Sequence, residues 1–174
     1  MTAEELLERY AAGERDFANV NLPGARLEDT ELSGINLRGA TLFGARLCNA
    51  NLSRANLTGS NLDSAQLEDI NLAGADLTKA AISDANLTRA NLTNANLADV
   101  TLVDTALPGA DLTDAQLAGA NFSAPYLKGA NLTNVNLNDA LIDLPGGINN
   151  PRVEGAIFCN TTMPDGSIRN DHCN

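Results

Sequence analysis

Large apolar residues recur every five positions from Phe17 to Ile142 without a miss, in twenty-six consecutive frames; twenty-two carry Leu, and the others are Phe17, Ile82, Phe122 and Ile142. Two residues before most of them stands a small residue, Ala in sixteen frames, among them Ala40, Ala45, Ala50 and Ala55. The residue just before the large one is mostly Asn, Asp, Gln or Thr. The fifth position of the frame is Gly, Asn or Asp in twenty of the twenty-six and takes nine of the fourteen Gly. A period of five matches neither the 3.6 of an α-helix nor the 2 of a strand, so neither element can bring all these Leu to one side. A chain that turns a corner every five residues can. Four corners close a square coil of twenty, with each Leu on the axis and each Ala beside it. The corners account for the fifth position, because Gly enters left-handed conformations freely and Asn and Asp are the next most tolerant. One coil cannot bury its own top and bottom, so coils must stack, joined by backbone bonds at the strand spacing of about 4.8 Å. About six and a half coils then make a rod roughly 31 Å tall.

The frame, seen in Ala50-Asn51-Leu52-Ser53-Arg54 and Ala75-Asp76-Leu77-Thr78-Lys79, resembles that of the pentapeptide-repeat proteins, and the likeness covers Arg15 to Leu144. It implies an all-β solenoid of one kind, a right-handed quadrilateral β-helix, whose handedness comes from the resemblance and not from the period. The period of five excludes a left-handed hexapeptide β-helix, and the Asp-rich nonapeptide calcium-binding repeat is absent from the sequence.

The ends differ from the rod. Thr2-Ala3-Glu4-Glu5 has the spacing of a capping box, Glu4, Glu5 and Glu8 favour a helix N-terminus, and Gly13 supplies a stop. The pattern predicts a short capping α-helix from Thr2 to Ala12 within residues 1–14, its stripe of Leu6, Leu7, Tyr10 and Ala11 closing the first coil. The β-helix occupies 15–144. At Asp143-Leu144-Pro145-Gly146-Gly147 the frame breaks, and the apolar spacing resumes one residue out of phase at Ile148, Val153, Phe158, Met163 and Ile168, which predicts a further irregular coil as a cap over 145–174. Phe158 to Gly166 resembles the tail of pentapeptide-repeat proteins from photosynthetic bacteria, with a turn at Pro164-Asp165-Gly166.

Composition narrows the function. Of 174 residues 44% are apolar and 19% charged, enough to bury and too little charge for a disordered chain. Aromatics are 3% and the net charge is −11, which opposes binding to phosphate backbones, single strands and anionic membranes. The acidic opening Met1-Thr2-Ala3-Glu4-Glu5 is unlike a secretory signal, and no apolar run approaches eighteen residues, so the sequence reads as cytoplasmic. The one His, His172, lies two residues from the C-terminus, which removes the usual general base from the body of the chain. The expectation is no enzyme and no cofactor.

Cys159, His172 and Cys173 lack a fourth ligand and any Cys-x-x-Cys spacing for a metal. A disulfide between Cys159 and Cys173 would contribute about 3 kcal/mol in the loop-entropy model, while a reducing cytoplasm opposes it. Cys48 should project outward as a bystander. Glu28 with Asp29 and Glu68 with Asp69 stand on one face, read as a solvated surface and not as an acid/base pair. Sorting the chain by twenty distinguishes the four walls. One carries Asp63, Asp84, Asp104 and Asp143 with no base, and shows Phe43 and Val103 outward; Phe43, Asp63, Asp84, Val103 and Asp104 form the candidate protein-contact wall. A second wall, with Arg26, Arg46, Arg89 and Lys128, balances its acids, and a third is a column of Asn51, Asn71, Asn91 and Asn131 beside Ser and Thr. These features predict a rigid rod acting as a protein-binding or structural module, monomer or weak homodimer, with another protein as partner. The family resemblance implies an alternative, a DNA mimic that binds a type II topoisomerase such as gyrase; the single acidic wall and the Pro-, Gly- and Asn-rich tail fit that less well.

Overall fold

The structure, a computed structural model, describes residues 1–143 and 150–173. The frame break at Leu144 to Gly147, and Ile148 with it, lie outside the described residues.

Each residue just before an inward Leu pairs in parallel with the residue twenty positions on, from Asp16 with Asn36 through Asn61 with Ala81 to Gln116 with Asn136. Four frames therefore make one coil, and the coils stack in parallel. The frame at Ala75 shows how its amides are satisfied. Ala75 N–H donates to Leu72 O at 3.0 Å, closing a corner, and Asp76 N–H donates down to Ala55 O at 2.9 Å. Leu77 N–H and Lys79 N–H donate up to Asn96 O at 2.7 Å and Ala98 O at 2.9 Å. The remaining amide, Thr78 N–H, is accepted by its own frame's Asp76 Oδ1 at 3.0 Å. The same bond recurs at Ser53 to Asn51 and Thr133 to Asn131, both 3.1 Å. This is the physical reason for the Asn/Asp column: an amide at a corner needs a short acceptor two residues back.

Every corner from Asn19 to Asn134 places its fifth residue at φ between 52° and 69°. At most of these corners the next residue's amide donates to the carbonyl three residues before it, as Ala55 does to Leu52 at 3.0 Å; this is a type II turn, which explains Pro23 and Pro108 at the preceding position. The conformation is imposed even on Arg54, Lys79, Arg89 and Ala124, where it costs about 1–2 kcal/mol each; the ladder bonds on either side hold them there.

The large column from Phe17 to Leu137 is buried throughout, with the Ala column beside it; Ile142 is half-buried. Three buried hydroxyls of the described residues enter this core. Thr161 Oγ1 donates to Leu132 O at 2.6 Å. Thr105 Oγ1 donates to Ile82 O at 2.8 Å, whereas Ser60 Oγ, in a side chain only 1% exposed, has no partner.

Helix α1, Ala3–Ala11, is capped by Thr2, whose Oγ1 accepts from Glu5 N–H at 3.2 Å while Glu5 Oε2 accepts from Thr2 N–H at 2.9 Å. Leu6 is fully buried in the core cluster, and Tyr10 Oη donates to Ser33 O at 2.8 Å, so the helix closes the first coil.

At the other end β1, Asn121–Ser123, pairs in parallel with β2, Leu141–Asp143. A short 3₁₀ turn, Pro151–Val153, then leads to β3, Phe158–Thr162, and β4, Ile168–Asp171. Leu127, Leu132 and Leu137 donate to Arg152 O, Ile157 O and Thr162 O, twenty-five residues on where the rod has nineteen. Val153 and Phe158 are accordingly buried, and Met163 packs on the core. The spacing extended this coil to Ile168, but the chain has reversed by then: β4 runs antiparallel to β3, and Ile168 is 62% exposed.

Three substitutions test the packing. Leu72→Asp puts a charge between stacked Leu side chains and abolishes the folded circular dichroism spectrum, whereas Asn94→Asp, at a corner, leaves it intact. Ser60→Ala removes an unpartnered hydroxyl and stabilises by about 1 kcal/mol, measured by urea denaturation.

Candidate functional site

Among the described residues many of the outward polar side chains are bonded to each other. On the wall of Arg46 and Arg89, Arg46 Nε reaches Glu28 Oε1 at 2.6 Å and Arg89 Nε donates to Asp69 Oδ1 at 2.7 Å. The Arg89 guanidinium holds the Asp69 carboxyl below its ordinary range. Asp29 Oδ1 accepts from Asn49 Nδ2 at 3.0 Å, and Glu68 accepts from Asn86 Nδ2 at 2.7 Å and from Cys48 Sγ at 2.9 Å. Burial, then the bond to Glu68, pushes the Cys48 thiol up, the opposite of what a nucleophile needs. Lys128 pairs with Glu154 at 2.9 Å. On the Asn wall, Asn51 Nδ2 donates to Glu31 at 2.7 Å, and Asn71 Nδ2 donates to Asn51 at 3.2 Å. Thr93 Oγ1 turns back to its own frame's Asn91 at 2.8 Å.

The wall of Phe43 differs. Phe43 lies in the outward column and is 50% exposed; Val103, three layers above by the twenty-residue coil, is half-buried. Asp84 and Asp104 stand exposed at corners one coil apart, their amides bonded to Val103 O at 3.0 Å and Ser123 O at 3.1 Å. Asp143 is exposed at the end of β2, and the described frames of this wall include no Lys, Arg or His, although Arg152 Nη1 donates to the wall's corner carbonyl Ala124 O at 2.6 Å.

Asp63 has a different role from Asp84 and Asp104. Its frame neighbour one coil up has Ala81 where an Asn or Asp would accept the corner amide, and Asp63 Oδ1 accepts from Ser83 N–H at 2.8 Å instead. A second alanine in this column, Ala106, is met by Pro108, which has no N–H to satisfy.

Sequence reasoning missed Leu141, 67% exposed in the same wall, beside a recess of about 350 Å³ lined by Ser123, Ala140, Ile142 and Asp143. Its signal was present: Leu141 occupies the column that is mostly Asn, Asp, Gln or Thr, as does Tyr126, 38% exposed, on the neighbouring wall.

At the C-terminal end Cys159 and Cys173 are joined as a disulfide with Cα atoms 5.0 Å apart, and His172 Nδ1 lies 3.1 Å from Ala156 O. Among the described residues no group of three or more His, Cys, Asp or Glu is placed to hold a metal ion, and no helix is long and apolar enough to cross a membrane.

Comparison with solved structures finds the same architecture elsewhere. The chain is similar to the pentapeptide repeat protein Rfr23 from the cyanobacterium Cyanothece 51142, at 26% identity over 80% of this chain and 99% of that one, with a TM-score of 0.52. It is also similar to HetL, a pentapeptide repeat protein involved in heterocyst differentiation regulation from the cyanobacterium Nostoc sp. strain PCC 7120, at 28% identity over 97% and 100% of the two chains and a TM-score of 0.32. QnrB1, a plasmid-mediated fluoroquinolone resistance protein, matches at 22% identity over 83% and 82%, with a TM-score of 0.34. No curated protein matches. The family model for pentapeptide repeats matches in eight copies over residues 16–47, 35–74, 75–114 and 115–141, the stretch in which the five-residue frame builds the stacked coils, and the chain belongs to this family.

Proposed function

We propose that the protein is a non-enzymatic rod, with the right-handed coil of its family, that presents the wall of Phe43, Val103, Leu141, Asp84 and Asp104 to another protein. The observation that carries this reading is the half-exposed Phe43 on a wall whose own frames bear acids and no base, while Arg46, Arg89 and Lys128 on the neighbouring wall are paired. Asp63 belongs to the wall but serves chiefly to hold the Ser83 corner. An apolar anchor rimmed by carboxylates fits a partner whose surface is cationic around an apolar recess, since such rims set orientation and association rate and the anchor supplies affinity. The non-enzymatic part is supported by the engagement of the remaining polar groups: Glu28, Asp29, Glu68 and Asp69 are bonded to neighbours, and the His172 ring faces a backbone carbonyl. Such groups lack the burial and free geometry of a general acid or base.

The reading is tested by using the chain as bait. Phe43→Ser with Val103→Ser lowers the melting temperature by only a few degrees, because both side chains are outward, and removes the partner captured by the wild-type rod. Retention of every captured protein by the folded double variant would remove this wall from consideration. A DNA mimic would inhibit gyrase supercoiling in vitro. We expect no inhibition at micromolar rod, because acids stand unopposed along one wall and not around the circumference.

A further inference from the structure

We propose that the Cys159–Cys173 disulfide is a redox-operated latch on β4, the antiparallel strand that ends the stack of coils. The inner edge of β3 belongs to the rod: Leu132, Asn134 and Leu137 donate to Ile157 O at 2.9 Å, Cys159 O at 2.8 Å and Thr162 O at 2.8 Å. Its outer edge would be an open parallel edge, and β4 covers it, with Phe158 opposite Asp171, Cys159 opposite Asn170 and Thr162 opposite Ile168. Covering the last edge is what any solenoid requires.

The means of attachment at the two ends of the rod differ. Helix α1 is held by the buried Leu6, whereas β4 contributes Ile168, Arg169, Asn170 and Asp171, of which the one apolar side chain points to solvent. Its non-covalent hold is polar: Arg169 lies 4.6 Å from the Phe158 ring centre and pairs with Asp171, Asn170 Oδ1 accepts from Asn160 N–H at 3.0 Å, and His172 meets Ala156 O. A hairpin of strands this short, without an apolar face of its own, is marginal in water. The cross-link between residues fourteen apart decides its population, favouring the closed strand by on the order of 100-fold.

The latch is accessible from one side. Cys173 is exposed and Cys159 half-buried, so a thiolate of a small dithiol or a thioredoxin-class dithiol attacks Cys173 Sγ. The Sγ–Sγ bond breaks, its electron pair leaves with Cys159 Sγ, and that thiolate takes a proton from solvent. The second thiol of the reductant then attacks its own sulfur in the mixed disulfide, releasing Cys173 as a thiol and the reductant as a disulfide. Two electrons and two protons pass to the protein. Cys48 takes no part, being a raised-pKa thiol on the wall of Arg46 and Arg89. Opening frees the outer edge of β3 and uncovers Phe158, 3% exposed in the closed form.

Hydrogen–deuterium exchange on the full chain, with and without dithiothreitol, reads the latch directly. Amides of β4, and those of β3 that face it, exchange on the order of 100-fold faster after reduction, while Thr162 N–H, bonded to Val135 O at 2.9 Å, and the amides of the coils between residues 17 and 137 do not change. Cys173→Ser gives the fast pattern without reductant, Cys48→Ser responds as the wild type does, and reoxidation restores protection. Equal protection of β4 in the oxidised, reduced and Cys173→Ser proteins would overturn the proposal. So would a loss of protection spreading through the whole rod, which would make the bridge a general stabiliser and not a latch.

Discussion

The structure depends on one backbone contact repeated along the chain: the amide of each inward residue donates to a carbonyl nineteen residues ahead, as Leu52 does to Asn71 at 2.8 Å and Leu97 to Gln116 at 2.8 Å. That bond can form only if every coil has the same length and every corner the same turn. The left-handed residue in each frame and the small residue that follows are consequences of it. Buried Leu side chains supply the driving force, about 1.5–3 kcal/mol each, but it is the ladder that sets their spacing. From Leu127 onward the ladder continues with an offset of twenty-five, and one more coil forms before the chain reverses.

The same constraint limits what the surface can do. Of five residues per frame, two are inside and one is the corner. One provides an acceptor for the corner amide, and one points outward without a structural task. Function must be carried by that last column and by departures from the rule in the others. The two alanines in the acceptor column, Ala81 and Ala106, are repaired from within, by Asp63 and by Pro108. The departures at Phe43, Tyr126 and Leu141 are not repaired, and they expose apolar surface.

The column from Phe17 to Ile142 was legible because a period of five admits one solution, and so was the helix at Ala3–Ala11, whose capping box is local. The purpose of the Asn/Asp column was not legible: periodicity counts positions such as Asp76 and Asn91 without revealing which amide they accept. Ile168 kept the apolar spacing, but spacing cannot register a reversal at Pro164-Asp165-Gly166 that changes the strand's direction. The proposed contact wall was partly legible. Phe43, Val103, Asp84 and Asp104 follow from sorting by twenty, whereas the involvement of Asp63 with Ser83 depends on a neighbour one coil away. Leu141 was hidden because it sits in a column read as polar.

The claim that coils of twenty residues are joined by this ladder is tested most directly by scalar couplings across hydrogen bonds in a ¹⁵N,¹³C-labelled sample. A coupling is expected from the Leu72 amide nitrogen to the Asn91 carbonyl carbon, and from Leu77 to Asn96, nineteen residues away in each case. Couplings from these amides to carbonyls four residues earlier, or to carbonyls at any other separation, would contradict it.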